Sequence, residues 1–277
     1  MVTVCETVTV YLTRHHGLGN VFLVALVDKV PEDASEQARL LCDPMTGVGA
    51  DGLVIGTPAT LTSETSPTFI LFNQDGSRAE MSGNGLRCFG QAVARASGVT
   101  HLELVVATDT GPHRVSVTGG PNDVEVLVTV DLGPARPGPD LEGLSIDLGG
   151  LDYGRLATVD VGNPHFLIEV VDPEAVDLAV VGPALEAQFA PAGCNIHLVA
   201  IIDRSSLFLR PWERGVGLTE ACGTGACAAA YAAHSWGLVE PEVEVVMPGG
   251  RATVFVGETL RLTGTATFVD EHEVDGG

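Results

Sequence analysis

Two short segments carry residue types suited to binding an anion or activating a thiol. Ser82-Gly83-Asn84-Gly85 and Cys222-Gly223-Thr224-Gly225 each read as a glycine turn that opens a helix. Glycine admits positive φ and lets backbone approach a ligand closely. The first helical turn adds unpaired N–H groups and the positive end of the helix dipole. Such a place suits a carboxylate or a phosphate. A cysteine there has its thiolate stabilised, so the pKa of Cys222 is expected below the free value of about 8.5. An inert buried thiol is the competing reading, and it is preferred for Cys88 and Cys227, which fall inside helices among Ala, Phe and Val. Upstream, Glu213-Arg214-Gly215 closes a strand. An acid beside a base at a strand end is usually a solvated turn. Here the pair could also hold an amino acid by its ammonium and carboxylate, with the guanidinium pairing bidentately. Gly162-Asn163-Pro164-His165 places an imidazole at a forced bend, where it could tune a thiol, although a lone His at a strand start is more often structural.

These features occur in two sets. Cys222 lies 140 residues after Ser82, Asn73 precedes Ser82 by nine and Glu213 precedes Cys222 by nine. Gly19-Asn20 stands 62 residues before Ser82, counting from Asn20, and Gly162-Asn163 stands 59 before Cys222 on the same count. Three paired features in one order point to two homologous α/β halves, each presenting a turn and a helix start to a shared cleft. The Pro/Gly-rich stretch Gly133 to Pro139 sits near the midpoint and reads as the linker. The domains are therefore expected at 1–132 plus 265–277, carrying Ser82, and at 133–264, carrying Cys222.

The elements that must position these residues are mostly strands. Apolar and β-branched runs mark Thr7 to Leu12, Val21 to Val27, Leu53 to Gly56, Phe69 to Phe72, Leu102 to Ala107 and Asp123 to Val130. In the second half they mark Phe166 to Val171, Ile196 to Ile202, Leu207 to Pro211, Val243 to Met247 and Ala252 to Val256. Helical patterns are confined to Ser35 to Cys42, Gly85 to Ser97, Gly182 to Phe189 and Gly225 to Trp236.

Composition narrows the function classes. With 45% hydrophobic and 18% charged residues, the chain is a globular protein and not a disordered one. A net charge of −22 repels phosphate backbones and anionic membranes, so neither nucleic acid nor membrane is an expected partner. Lys29 is the only lysine, which fits either a GC-rich genome or a high-salt cytoplasm. The start MVTVCETVTVYLTRHH lacks the form of a signal peptide, and no apolar run is long enough to span a bilayer. Six scattered cysteines without a C-x-x-C pair suit reduced thiols in a cytoplasm better than disulfides or structural zinc. No metal motif such as H-E-x-x-H and no clustered carboxylate–His site is present. Lys29 lies outside every motif, so neither a metal nor pyridoxal phosphate is expected.

Taken together, the segments HGLGN (His16 to Asn20), GVGADG (Gly47 to Gly52), FNQDGSRAEMSGNGLRCF (Phe72 to Phe89), GNPH (Gly162 to His165), ERGVGLTEACGTGACAAA (Glu213 to Ala230) and MPGGR (Met247 to Arg251) closely resemble the diaminopimelate epimerase family. They follow the family order and span nearly the whole chain. The resemblance implies an α/β (α+β) fold of two pseudo-symmetric halves, each a strand-rich sheet wrapped around a central helix, with the active site in the cleft between them. It implies an isomerase that needs no cofactor and interconverts LL- and meso-2,6-diaminopimelate, in lysine and cell-wall biosynthesis. A small amino acid is then the ligand, and a cytoplasmic homodimer is the expected form. By residue, Cys222 matches one of the two family catalytic cysteines. Asn20, Asn73, Gly83, Asn84, Asn163, Asn195, Glu213, Arg214, Gly223 and Thr224 match substrate-binding positions. His165 and Glu213 match groups that tune the thiols. Gly52 falls where some members have Gln, and that contact is not expected here.

Ser82 departs from the pattern, because the family carries its other catalytic cysteine at this position. Epimerisation needs an acid and a base on opposite faces of Cα. A hydroxyl is a far weaker acid than a thiol and a poor base. Ser82 is therefore an introduced substitution, a natural variant working through water or a neighbour, or a sign of one-sided chemistry such as elimination. Two other functions stay open beside the first. One is a proline racemase-, hydroxyproline epimerase- or dehydratase-like enzyme. The other is an amino-acid-binding homologue impaired by Ser82.

Overall fold

The structure, a computed structural model, describes residues 8–57 and 66–276. The start of the first expected strand at Thr7, the opening segment read for a signal peptide and Cys5 lie outside the described residues. In chain order the first elements are β1 (Val8–Gly17), β2 (Asn20–Leu26), α1 (Ala34–Cys42), β3 (Gly52–Thr57), β4 (Thr68–Asn73), β5 (Arg78–Ala79) and α2 (Gly83–Ser97). Next come β6 (His101–Thr108), β7 (Gly111–Thr118), β8 (Glu125–Asp131), β9 (Arg136–Pro137), β10 (Leu156–Asp160), β11 (Pro164–Glu169) and α3 (Leu178–Ala187). The chain ends with β12 (Asn195–Asp203), β13 (Ser206–Glu213), β14 (Gly217–Leu218), α4 (Gly223–Ser235), β15 (Glu242–Met247), β16 (Gly250–Val256) and β17 (Leu260–Gly276). They form two compact units, Met1–Val128 with Thr265–Gly277, and Thr129–Gly264. The chain passes from one unit to the other inside β8 and again inside β17.

Each unit repeats one order of pairing. In the first, β1 pairs antiparallel with β2, β2 parallel with β3, β3 antiparallel with β4, β4 with the short β5 and with β6, and β6 with β7. In the second, β10 pairs antiparallel with β11, β11 parallel with β12, β12 antiparallel with β13, β13 with β14 and β15, and β15 with β16. A parallel pair needs a crossover, and α1 and α3 supply it.

In each unit one helix, α2 or α4, packs against most of the strands, while α1 touches β3 and β4 and α3 touches β12 and β14. α2 packs on β1, β2, β3, β4 and β7, and α4 on β10, β11, β12, β13, β15 and β16. α4 is buried on every side from Gly223 to Ala230, as a helix in the middle of a core must be. Its run of alanines keeps the helix thin enough for strands to close around it. α2 reaches the same closeness with Gly90, where a Cβ would stand 2.9 Å from Val115 Cγ1.

The expected strands and helices are present with end shifts of a few residues. α3 begins earlier than Gly182 and takes in Pro183, whose missing N–H forgoes one helical bond. Three strands of five residues or more lie outside the expected set: β7, β10 and β17. β17 is rich in Thr and charge on its outer positions, while Leu260, Leu262 and Ala266 face the core, so no apolar run announces it. The stretch expected as a linker is paired structure. Arg136–Pro137 forms β9, with Val159↔Pro137 and Asp160↔Arg136. Proline is tolerated there because a short edge segment need not donate.

Candidate active site

In the first unit, β1 and β2 meet in a two-residue turn at Leu18-Gly19. Leu18 has φ 53° and Gly19 φ 86°, a primed hairpin turn that costs strain at the leucine. The turn delivers Asn20. Asn84 Nδ2 donates to Asn20 Oδ1 at 2.7 Å, and the fully buried Arg87 donates to Asn84 Oδ1 at 2.6 Å. Asn20 Nδ2 and the Val21 N–H both reach Asp51 Oδ2. Ser82 is the N-cap of α2, and its hydroxyl accepts the Gly85 N–H at 3.0 Å. Gly83 and Asn84 begin the helix beside it. Asn73, by contrast, is exposed at the end of β4 and bonds Ser77 Oγ. These positions gather around one helix start, apart from Asn73 on its exposed strand end.

The second unit builds its helix start the same way with a thiol. Cys222 caps α4 in extended backbone, and its Sγ accepts the Gly225 N–H at 3.3 Å. Thr224 Oγ1 lies 3.7 Å from Sγ, and the Glu213 carboxylate is near enough for its charge to act on the thiol. Asn195 holds the turn together, with Nδ2 donating to Pro164 O and Oδ1 accepting the Arg214 N–H. The Arg214 guanidinium donates to Ala192 O and is otherwise exposed. His165 is fully buried. Its Nε2 lies 2.9 Å from Asn163 Oδ1, and its Nδ1 lies 2.8 Å from Nε2 of His197, a residue outside every motif named above. No sequence signal marks His197 beyond an imidazole in an apolar strand. It meets His165 only because β11 and β12 run parallel, 32 residues apart in the chain.

Electrostatics reverse one expectation. Burial, and after it the Glu213 charge, pushes the Cys222 thiol well above its ordinary pKa, against the hydrogen bonds from Thr224 and the Gly225 N–H. Desolvation can shift a fully buried group by several units, whereas a helix terminus supplies about 0.3–1 kcal/mol, so the helix start loses. Burial also raises Glu213. Burial holds His165 well below its ordinary value, with His197 and Arg214 adding to the effect, and lowers His197 to about 3. The resting site is thus a protonated thiol beside two neutral imidazoles.

Among the described residues, His165, His197 and Cys222 bring three donor atoms within 4.8 Å of one another. That could hold a soft divalent ion. One imidazole lone pair is, however, engaged in the His165–His197 bond, which an ion held by both nitrogens of that bond would have to break. Among the described residues the five cysteines form no disulfide and are buried, and Cys42, Cys88 and Cys194 are raised by burial to about 12. No described helix is long and apolar enough to cross a membrane.

The fold is that of known amino-acid epimerases and their relatives. A hydroxyproline epimerase structure from Agrobacterium vitis matches at TM-score 0.70 and 18% identity, over 96% of this chain and 92% of that one. A PhzF-family phenazine biosynthesis protein of Bacillus anthracis matches at 0.72 and 17%, over 96% and 99%. At such identity the likeness speaks for the fold alone. Sequence carries further: the diaminopimelate epimerase family model matches residues 12–137 and 157–269. A diaminopimelate epimerase of Magnetococcus marinus is 38% identical over 95% of this chain and 96% of its own length. One of Bacteroides thetaiotaomicron is 34% identical over 98% and 100%. The chain belongs to the diaminopimelate epimerase family, and it is an isomerase.

Proposed function

We propose that this chain interconverts LL- and meso-2,6-diaminopimelate without a cofactor. The observation that carries the reading is Cys222, a thiol at a helix start with a carboxylate partner and a backbone donor, in a chain of this family. Epimerisation breaks Cα–H on one face and forms it on the other. Cys222 Sγ is the group that exchanges its proton with Cα. In the delivering direction it starts protonated, the form that burial favours. In the accepting direction the neighbouring Glu213 first takes the thiol proton, and the Gly225 N–H steadies the thiolate. The helix N-termini at Gly83 and Gly223 suit the reacting carboxylate, where N–H donors steady the charge that develops at Cα. Ser82 holds the equivalent cap and serves by hydrogen bonding or through a relayed water. Asn20, Asn73, Asn84, Asn163, Asn195, Arg214 and Thr224 bind the rest of the amino acid, and His165 acts on the thiol through its surroundings.

We assign the two halves of the enzyme to 1–132 with 265–277, and to 133–264. The repeated strand order supports this. A cytoplasmic homodimer is the form the family resemblance implies. The test is incubation with LL-diaminopimelate, with meso product followed by chiral chromatography. Appearance of meso product is the expected result. Failure with diaminopimelate and turnover of a proline derivative would overturn the reading.

A further inference from the structure

The repeat makes His197 conspicuous. In the first unit Phe22 pairs with Gly52 and Val24 with Val54, and in the second His165 pairs with Asn195 and Leu167 with His197. His165 therefore occupies the place of Phe22, and His197 that of Val54. Phe22 and Val54 are buried as well. The fold accepts apolar side chains at both positions, so packing alone does not call for an imidazole pair.

The hydrogen bonds fix the direction of this pair. His197 Nδ1 is buried with no partner. Each neutral imidazole carries one N–H. If His197 Nε2–H donates to His165 Nδ1, then His165 Nε2–H donates to Asn163 Oδ1, and every N–H has an acceptor. The reverse direction needs the Asn163 amide flipped and leaves His197 Nδ1–H buried without an acceptor, the costlier outcome. The first unit reaches the same end differently: Asn20 Oδ1, the counterpart of Asn163 Oδ1, accepts from Asn84, which Arg87 anchors. Room for His197 comes from Gly225, where a Cβ would stand 2.6 Å from its Nε2.

We infer that His197 is a positioning residue: it holds His165 as the Nε2–H tautomer, commits Asn163 Oδ1 inward, and so presents the Asn163 Nδ2–H₂ as a donor to a carboxylate of the ligand. The consequence for turnover rests on the proposed epimerase reading, while the consequence for the tautomer does not. Two measurements follow. Imidazole 15N NMR of the whole protein reads the tautomers directly. Both His165 and His197 should carry the proton on Nε2, and His197→Val, which copies Val54, should remove the fixed His165 signature. In kinetics, His197→Val should raise KM for diaminopimelate roughly tenfold, with kcat changed much less. Asn163→Ala should do the same, and the double variant should lose little more than either single one. His197→Gln keeps an N–H donor and should recover part of the loss. Protonation of His165 on Nδ1 in the parent, or an unchanged KM in a folded His197→Val, overturns the inference. If the parent does not turn over diaminopimelate, the function reading fails and the NMR result decides the role of His197 alone.

Discussion

Cys222 and Ser82 occupy equivalent caps with the same backbone bond, yet only one can be a strong acid–base group. Cys222→Ala should abolish exchange of the Cα proton for deuterium, since Cys222 is the thiol that caps the α4 helix start beside Glu213. Ser82→Cys should raise epimerisation by ~10²–10⁴-fold, the worth of a positioned acid–base group. Deuterium wash-in compared with stereoinversion, for each isomer, measures both. Equal rates from both isomers in the parent, with no gain from the added thiol, would show that Ser82 already acts as a full partner. Glu213→Gln should lower kcat more than it raises KM, because it takes away the acceptor of the thiol proton. A change in KM alone would make Glu213 a binding group only.

The helix starts differ in how tightly they are packed. A Cβ at Gly225 would stand 2.6 Å from His197 Nε2 and 3.0 Å from Cys222 Sγ, and His197 is fixed within β12. At Gly85, the counterpart, the nearest atoms are Phe69 Cζ and Ser82 Cβ at 3.2 Å, which can yield a few tenths of an ångström. Alanine gains about 1 kcal/mol over glycine inside a helix, and overpacking costs about 1–3 kcal/mol. Gly85→Ala should therefore be near neutral, while Gly225→Ala lowers the melting temperature and displaces the thiol. Equal Tm values for the two variants would contradict the crowding at α4. Both glycines are visible in the motifs. Their unequal surroundings are not, because Phe69 and His197 arrive from strands far away in sequence.

Across the molecule, burial sets the pH range of stability. His15 is lowered to about 4 and His197 to about 3 by burial, and His165 lies well below its ordinary value. The unfolded chain binds protons at these residues from about pH 6.5 downward and the folded one does not. Stability is thus full above that pH and falls as pH drops, by about 1.4 kcal/mol per pH unit for each histidine. Cys42, Cys88 and Cys194 behave oppositely, with folded values near 12 against an ordinary 9.0. Their contribution is complete below pH 9 and is lost as pH rises above it. Urea midpoints should form a plateau from about pH 6.5 to 9 with a fall on each side. A flat profile from pH 7.5 to 5 would mean that the histidines are charged in the fold. The sequence by itself determined the two turn–helix starts, their 140-residue spacing and the family. Each of these lies in short contiguous segments whose residue types dictate local backbone. It did not show the partner of His165, the strands β7, β10 and β17, or the sign of the Cys222 shift. Those depend on which side chains the parallel pairing of β11 and β12 brings together, and on how much water the surrounding strands exclude from α4.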